Sequence, residues 1–263
     1  MSTRQVEREI TIDAPVAVVW KALTDAAELV RWFPLEARVT PGAGGAGGAI
    51  WMRWDGVYDA ESRIEIWEPE RHLRIGFPNE RAFHLATDYY LEGKGGGTVL
   101  RVVTSGFGAG DDWDAQYGGV SRGWDFELLA LRHYLERHRG RDRAVAWVRA
   151  AYRCSRQEAW ARLTGPRGWF GQGGISSLVE GASYATRTAT GHTLTGAVQL
   201  WRPPLQFSGT VDGWNDALFR LELSGKDGAG EAWLWLATYG VPTAQVRAIQ
   251  DAWQESAGGV FAR

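Results

Sequence analysis

Five histidines, one cysteine, three closely spaced aspartates and a glycine-rich stretch are the residues of this chain whose types could support catalysis, metal binding or phosphate binding. Their spacing argues against each. Gly42-x-Gly44-x-x-Gly47 has the form of a dinucleotide-binding loop, but such a loop must run into a helix whose first N–H groups meet the phosphates. Residues 49–54 alternate in polarity and read as a strand, so these glycines are expected to turn a hairpin. His72, His84, His133, His138 and His192 lack metal-ligand spacing and have no cysteine pair nearby. Asp111, Asp112 and Asp114 precede an amphipathic run, where carboxylates suit a helix start better than a cation site. Ser105, Ser121 and Ser155 have no evident base partner, and Cys154 reads as a buried structural thiol. No metal or cofactor is expected, and no catalytic residue can be assigned.

The chemistry with most support is that of flat apolar surfaces. The chain holds 15 tryptophans, 9 phenylalanines and 8 tyrosines. In its first half Trp32, Phe33, Trp54, Phe77, Phe83, Tyr89, Phe107, Trp113, Tyr117 and Trp124 fall on faces expected to point inward. Met52 is an adaptable filler among them, and Thr87, Thr104 and the Tyr89 hydroxyl are candidate polar handles. That mixture suits a planar or polycyclic guest held by stacking and oriented by a few hydrogen bonds. The competing reading is that the rings simply fill a core. A cavity is expected because a strongly curved sheet encloses more volume than the aliphatic side chains of this half would fill.

The elements that must position these rings follow from period. Residues 4–12 alternate as a strand. Pro15 is tolerated at a helix start, after which Val16, Val19, Trp20 and Leu23 form an apolar stripe. Thr24 or Asp25 caps a second short helix carrying Leu29, Trp32 and Phe33, which Pro34 stops. From Leu35 to Thr104 the period is two, with Ile50, Met52, Ile64, Leu73, Ile75 and Val102 on one face. Arg38, Arg53, Arg63, Glu65, Arg74, Asp88, Glu92 and Arg101 fall on the other. This predicts an antiparallel sheet with one wet side. Trp113, Tyr117, Val120, Trp124, Leu128, Leu131 and Leu135 then recur at steps of three and four, a long helix whose apolar face needs that sheet.

The pattern occurs twice. Residues 20–24, Trp-Lys-Ala-Leu-Thr, return at 160–164 as Trp-Ala-Arg-Leu-Thr; Trp32-Phe33 returns as Trp169-Phe170 and Trp67-Glu68-Pro69 as Trp201-Arg202-Pro203. The offset falls from 140 to 137 to 134 residues, as loop deletions between retained elements would leave it. Two domains are expected, 1–139 and 140–263, joined near Arg139-Gly140-Arg141-Asp142. In the second, Val198, Leu200, Phe207, Phe219, Leu221, Leu223, Leu234 and Leu236 are expected inside. Trp233 and Trp235 are expected outside, as a contact to the other domain or to a second copy of the chain.

Composition bounds the partners. With 263 residues and a formal net charge of -2, nothing draws the chain to nucleic acid or to an anionic membrane. No apolar run is long enough to span a bilayer, and the acidic first thirty residues hold no signal-type apolar segment. A single cysteine excludes an internal disulfide, and a cytoplasmic location is expected. Richness in Gly, Ala, Arg and Trp points to a GC-rich bacterial genome.

The first half resembles the SRPBCC (START/Bet v 1-like) superfamily, in particular proteins similar to the C-terminal domain of the Hsp90 ATPase activator. The residues that carry the likeness are Ile12-Asp13-Ala14-Pro15-x-x-x-Val19-Trp20-x-Ala22-Leu23-Thr24, Leu29-x-x-Trp32-Phe33, Trp67-Glu68-Pro69 and Gly119-x-x-x-Gly123-Trp124. The resemblance covers residues 4–138 and is weaker in the second half, where Ala14-Pro15 is replaced by Cys154-Ser155. It implies an α+β fold of two tandem helix-grip domains, each a curved antiparallel sheet around a long C-terminal helix. It further implies an apolar small-molecule ligand, held for sequestration, transport or self-resistance. A polyketide cyclase or aromatase that acts by folding its substrate is one alternative, and a protein-interaction module is another. A chaperone-binding role does not follow from the shared core.

Overall fold

A computed structural model describes residues 4–77, 85–171, 174, 175, 177–226 and 228–261. The chain divides into two units, Met1–Gly140 and Arg141–Arg263. The first runs β1 (Arg4–Ile12), α1 (Val16–Thr24), α2 (Ala26–Leu29), β2 (Glu36–Gly42), β3 (Gly45–Trp54), β4 (Tyr58–Glu68), β5 (His72–Gly76), β6 (Ala86–Lys94), β7 (Gly97–Phe107) and α3 (Asp111–Arg137). Its strands form one sheet in the order β1-β7-β6-β5-β4-β3-β2, every neighbour antiparallel. α3 packs on β1 and β7, so the helix grips the sheet from its closing edge.

Local chemistry explains the element boundaries. Pro15 stands just before α1, one position earlier than its expected place inside the helix, and leaves the start without a side-chain cap. The Asp25 carboxylate accepts from the Glu28 N–H at 3.1 Å and so starts α2. Asp111 is the first helical residue of α3 rather than its cap; Gly110 holds the cap position, and Asp114 pairs with Arg4. The glycine stretch is the β2–β3 hairpin, with Gly42 opposite Gly45. At Gly45 glycine is required twice over: φ is +96°, and a Cβ would lie 2.1 Å from the Trp67 ring.

The inward face follows the period-two reading, with Ile50, Met52, Ile64, Leu73, Ile75 and Val102 all buried, as are Leu128, Leu131 and Leu135 of α3. Arg8 is the inward exception, its guanidinium held by Asp125 at 2.6 Å and Ser121 at 2.8 Å from α3. The outer face is not uniformly wet. Asp88 is only 4% exposed there, because His72 at 2.7 Å and Arg74 from the adjacent strand close over its carboxylate. Tyr90 stacks on His72 at 4.3 Å and Arg101 covers Tyr90 in turn.

The second unit runs β8 (Arg143–Tyr152), α4 (Arg156–Thr164), β9 (Ser183–Arg187), β10 (Thr193–Arg202), β11 (Gln206–Val211), a 3-10 turn (Asp212–Trp214), β12 (Ala217–Lys226), β13 (Ala229–Tyr239) and α5 (Thr243–Phe261). The sheet order, β8-β13-β12-β11-β10-β9, traces the same circuit with one strand fewer among the described residues. Each unit is a helix-grip domain. Ser155 caps α4 by accepting from the Glu158 N–H at 3.2 Å, a partner that Pro15 cannot supply in the first unit. Val198, Leu200, Phe207, Phe219, Leu221, Leu223, Leu234 and Leu236 are all buried.

The repeated landmarks meet in three dimensions. Trp20 lies edge-on to Trp67 with ring centroids 5.2 Å apart, and Trp160 meets Trp201 at 5.5 Å. Trp233 and Trp235 share the outer face of β13 but are not an exposed pair. Trp147 of β8 sits 6.0 Å from the first and 5.4 Å from the second, Arg149 bridges Trp147 and Trp233, and Trp235 is buried. Glu231 accepts from both Arg149 and the Trp233 indole. Burial raises its carboxyl, but those hydrogen bonds and the guanidinium charge outweigh it and leave the group below the usual value.

Candidate functional site

The rings named from the sequence separate into two groups. Trp32 and Phe33 follow α2, and their rings stack at 4.9 Å and 15°. Phe33 also stacks on Trp124 of α3 at 5.9 Å and 25°, and Trp54 of β3 meets it edge-on at 4.9 Å and 75°. Tyr89 of β6 stands edge-on to Trp124 at 5.7 Å, and Tyr58 extends the group beyond Trp54 at 5.8 Å. Phe107, Trp113 and Tyr117 form a second group where β7 enters α3, with centroids 6.4 and 5.2 Å apart and Arg4 over the Tyr117 ring. Phe77 is half-buried at the end of β5, its N–H bonded to the Leu85 carbonyl at 2.9 Å. Phe83 lies outside the described residues.

Polar groups reach the first group as a chain. The Trp124 indole N–H donates to the Thr104 hydroxyl at 2.8 Å, and Thr104 lies 2.9 Å from the Thr87 hydroxyl. The two threonines face each other across β6 and β7, so the register of the sheet brings them together. Burial pushes the Tyr89 hydroxyl well above its ordinary value, and the nearby Glu127 charge adds to the effect. Tyr89 therefore stays a protonated donor at any physiological pH. Burial likewise raises Tyr58, partly opposed by its contact with Ser62. These groups are neutral; they can orient a carbonyl or a phenol but carry no charge to place on a substrate.

One small cavity is described beside these rings. The cavity among Leu23, Leu29, Trp32, Phe33, Ile50, Met52, Leu73, Ile75 and Tyr89 has a volume of about 10 Å³. That is room for one water, whereas an engineered apolar cavity that accepts benzene measures ~150 Å³. Leu23, Leu29, Ile50, Leu73 and Ile75 were not among the expected site residues; the signal for them was the same inward periodicity that placed Met52. Tyr58 was also missed, because its position at the start of β4 gives no alternation to read.

The second unit arranges its equivalent rings differently. Trp169 and Phe170 meet edge-on at 86° instead of stacking, and Phe219 and Trp253 pack against Trp169. In the first unit the Trp32 indole N–H is bonded to the Ala22 carbonyl at 2.9 Å; the fully buried Trp169 N–H has no acceptor among the described residues.

Comparison with known proteins matches residues 13–136 to the family described as Activator of Hsp90 ATPase homolog 1-like protein. Among solved structures, protein MLL2253 from Mesorhizobium loti is 23% identical, over 52% of this chain and 99% of its own, with a TM-score of 0.46. DynU16, from the dynemicin biosynthetic locus, is 17% identical over 98% of this chain and 96% of its own, with a TM-score of 0.45. The di-domain ARO/CYC BexL of the BE-7585A biosynthetic pathway is 15% identical over 99% of both chains, with a TM-score of 0.43. No curated protein matches the sequence. Residues 13–136 are thus similar to the Activator of Hsp90 ATPase homolog 1-like family, and the second unit repeats the helix-grip architecture of the first in tandem.

Proposed function

We propose that the first unit binds an apolar, planar aromatic small molecule among Trp32, Phe33, Met52, Trp54, Tyr89 and Trp124, and holds it for sequestration, transport or self-resistance. The observation that carries this reading is a buried chain of neutral hydrogen-bonding groups, Trp124 to Thr104 to Thr87, set inside a cluster of stacked rings. Stacking would hold a flat guest, and an exchangeable hydroxyl would orient its oxygen.

Titration with anthraquinone and with anthracene, read by tryptophan fluorescence and calorimetry, tests it. The wild-type protein is expected to bind both. Trp124→Phe keeps a ring and removes the donor that holds Thr104 in place. It should weaken anthraquinone about three- to tenfold, the range of one hydrogen bond, and leave anthracene within twofold. Absence of binding by either compound would refute the reading. Chromatography of the bound compound after incubation separates a binder from a cyclase or aromatase.

A further inference from the structure

Trp32, Thr87, Tyr89, Thr104 and Trp124 all bury an indole N–H or a hydroxyl among or beside the stacked rings of the first unit. All but Tyr89 are satisfied within the chain. The Trp32 indole donates to the Ala22 carbonyl at 2.9 Å, the Trp124 indole to the Thr104 hydroxyl at 2.8 Å, and the Thr104 and Thr87 hydroxyls share a bond of 2.9 Å. The Tyr89 hydroxyl has no hydrogen-bond partner among the described residues. Yet Tyr89 is only 4% exposed, stands edge-on to Trp124 and lines the small cavity beside these rings. A buried hydroxyl without a partner destabilises a fold, so its retention calls for a reason. The scaffold does not supply one. β12 holds the place in the second sheet that β6 holds in the first, the third strand in, after β8 and β13 as β6 is after β1 and β7. Its inward residues are Ala217, Phe219, Leu221 and Leu223, all buried in the core and all apolar. The same architecture is therefore completed without a hydroxyl where the first unit places Thr87 and Tyr89.

We infer that the Tyr89 hydroxyl selects the guest by donating to a neutral carbonyl oxygen, so that the first unit takes aromatic ketones and quinones in preference to aromatic carboxylates of the same outline. The inference rests on the ligand-binding reading above and adds, to a threonine chain whose members are already paired, a donor that is not. Burial keeps this hydroxyl protonated, so it donates at any physiological pH. The charge that acts on it is the carboxylate of Glu127, three residues beyond Trp124 on α3. An anionic oxygen brought to Tyr89 would face that carboxylate and would also shed its own hydration. A ketone oxygen has no charge to be repelled and needs one donor, which Tyr89 provides.

Tyr89→Phe removes the hydroxyl and keeps the ring. Anthraquinone, anthracene and 9-anthracenecarboxylate, which share a three-ring outline, are the probes, titrated by calorimetry at neutral pH. The wild-type protein is expected to bind anthraquinone about tenfold more tightly than the carboxylate. Tyr89→Phe should weaken anthraquinone about three- to tenfold, the range of one hydrogen bond, and leave anthracene within about twofold. The infrared carbonyl stretch of bound anthraquinone should lie at lower wavenumber in the wild type than in Tyr89→Phe, a difference that a merely structural hydroxyl would not produce. With no guest present, the urea midpoint of Tyr89→Phe should not fall below that of the wild type, because no bond inside the chain is lost. A lower midpoint, equal weakening of anthraquinone and anthracene, a carbonyl stretch that is the same in both proteins, or a carboxylate bound as tightly as anthraquinone would each overturn this inference and leave the ligand-binding reading standing. Failure of the wild-type protein to bind any of the three compounds would overturn both.

Discussion

Trp124 and Thr104 are joined by a 2.8 Å hydrogen bond from the indole N–H to the hydroxyl oxygen, and the only strand-to-strand neighbour of Thr104 on β6 is Thr87, whose hydroxyl is 2.9 Å away. One oxygen thus serves two buried partners.

Thr104→Val keeps the side-chain shape and removes that oxygen, leaving the Trp124 N–H and the Thr87 hydroxyl buried without it. The expected loss is about 1–3 kcal/mol, the cost of stranding buried polar groups, measured by urea unfolding. Thr87→Val should cost less, because Thr104 still accepts from Trp124. Equal losses in the two variants would show that the chain of hydroxyls does not act in this order.

Gly45→Ala and Gly44→Ala separate strain from crowding. Both positions have positive φ, +75° at Gly44 and +96° at Gly45, but a Cβ at Gly44 meets open space whereas one at Gly45 enters the Trp67 ring. Gly44→Ala should cost about 1 kcal/mol from backbone conformation. Gly45→Ala should cost at least ~2 kcal/mol more, since a well-packed ring must also move. Urea midpoints that coincide for the two variants would contradict the packing of Trp67 on the hairpin.

Ser155→Ala removes the only side-chain cap described for α4 and should destabilise the chain by about 0.5–2 kcal/mol. Ser155→Asp should restore most of it, because a carboxylate accepts from the same Glu158 N–H. An unchanged midpoint in Ser155→Ala would mean that α4 is held by its packed face alone.

His192 makes the second unit sensitive to acid. The Trp253 indole can only donate, so at 3.2 Å the Nδ1 atom of His192 must be the acceptor, with the ring proton on Nε2. Burial lowers the His192 pKa below its ordinary value of 6.5. The folded state therefore binds a proton less readily than the unfolded one. Its contribution is complete above pH 6.5 and is lost as the pH falls through the depressed value. Thermal unfolding followed from pH 7.5 to 5 should show a steeper fall in midpoint for the wild type than for His192→Gln. Parallel curves would remove His192 as the cause.

What the sequence made legible was set by which physical signals are local. Alternation identified Ile50, Met52, Leu73 and Val102 as inward because the period of a strand is fixed by its backbone. The two-fold repeat was legible because large rings such as Trp20 and Trp160 survive as landmarks where loops shorten. Asp88 lies on the outer face as its alternation indicates but is buried there, since that burial depends on His72 and Arg74 from another strand, and register is not written in either strand alone. The ten aromatic candidates were gathered into one site, yet Trp113 and Trp124 are separated by about 16 Å of helix, at 1.5 Å per residue. Inward direction is local; meeting is not. For the same reason the sequence identified rings that face the interior but not that Phe33 would stack on both Trp32 and Trp124.

The clasp of Trp20 on Trp67 and its echo, Trp160 on Trp201, hold each sheet to its first helix at the same point, while Trp32–Phe33 and Trp169–Phe170 are arranged in two different ways. Scaffold and contents are thus mechanically separate in this architecture. The ring pair that joins first helix to sheet is kept in both halves while the rings beyond it are free to differ.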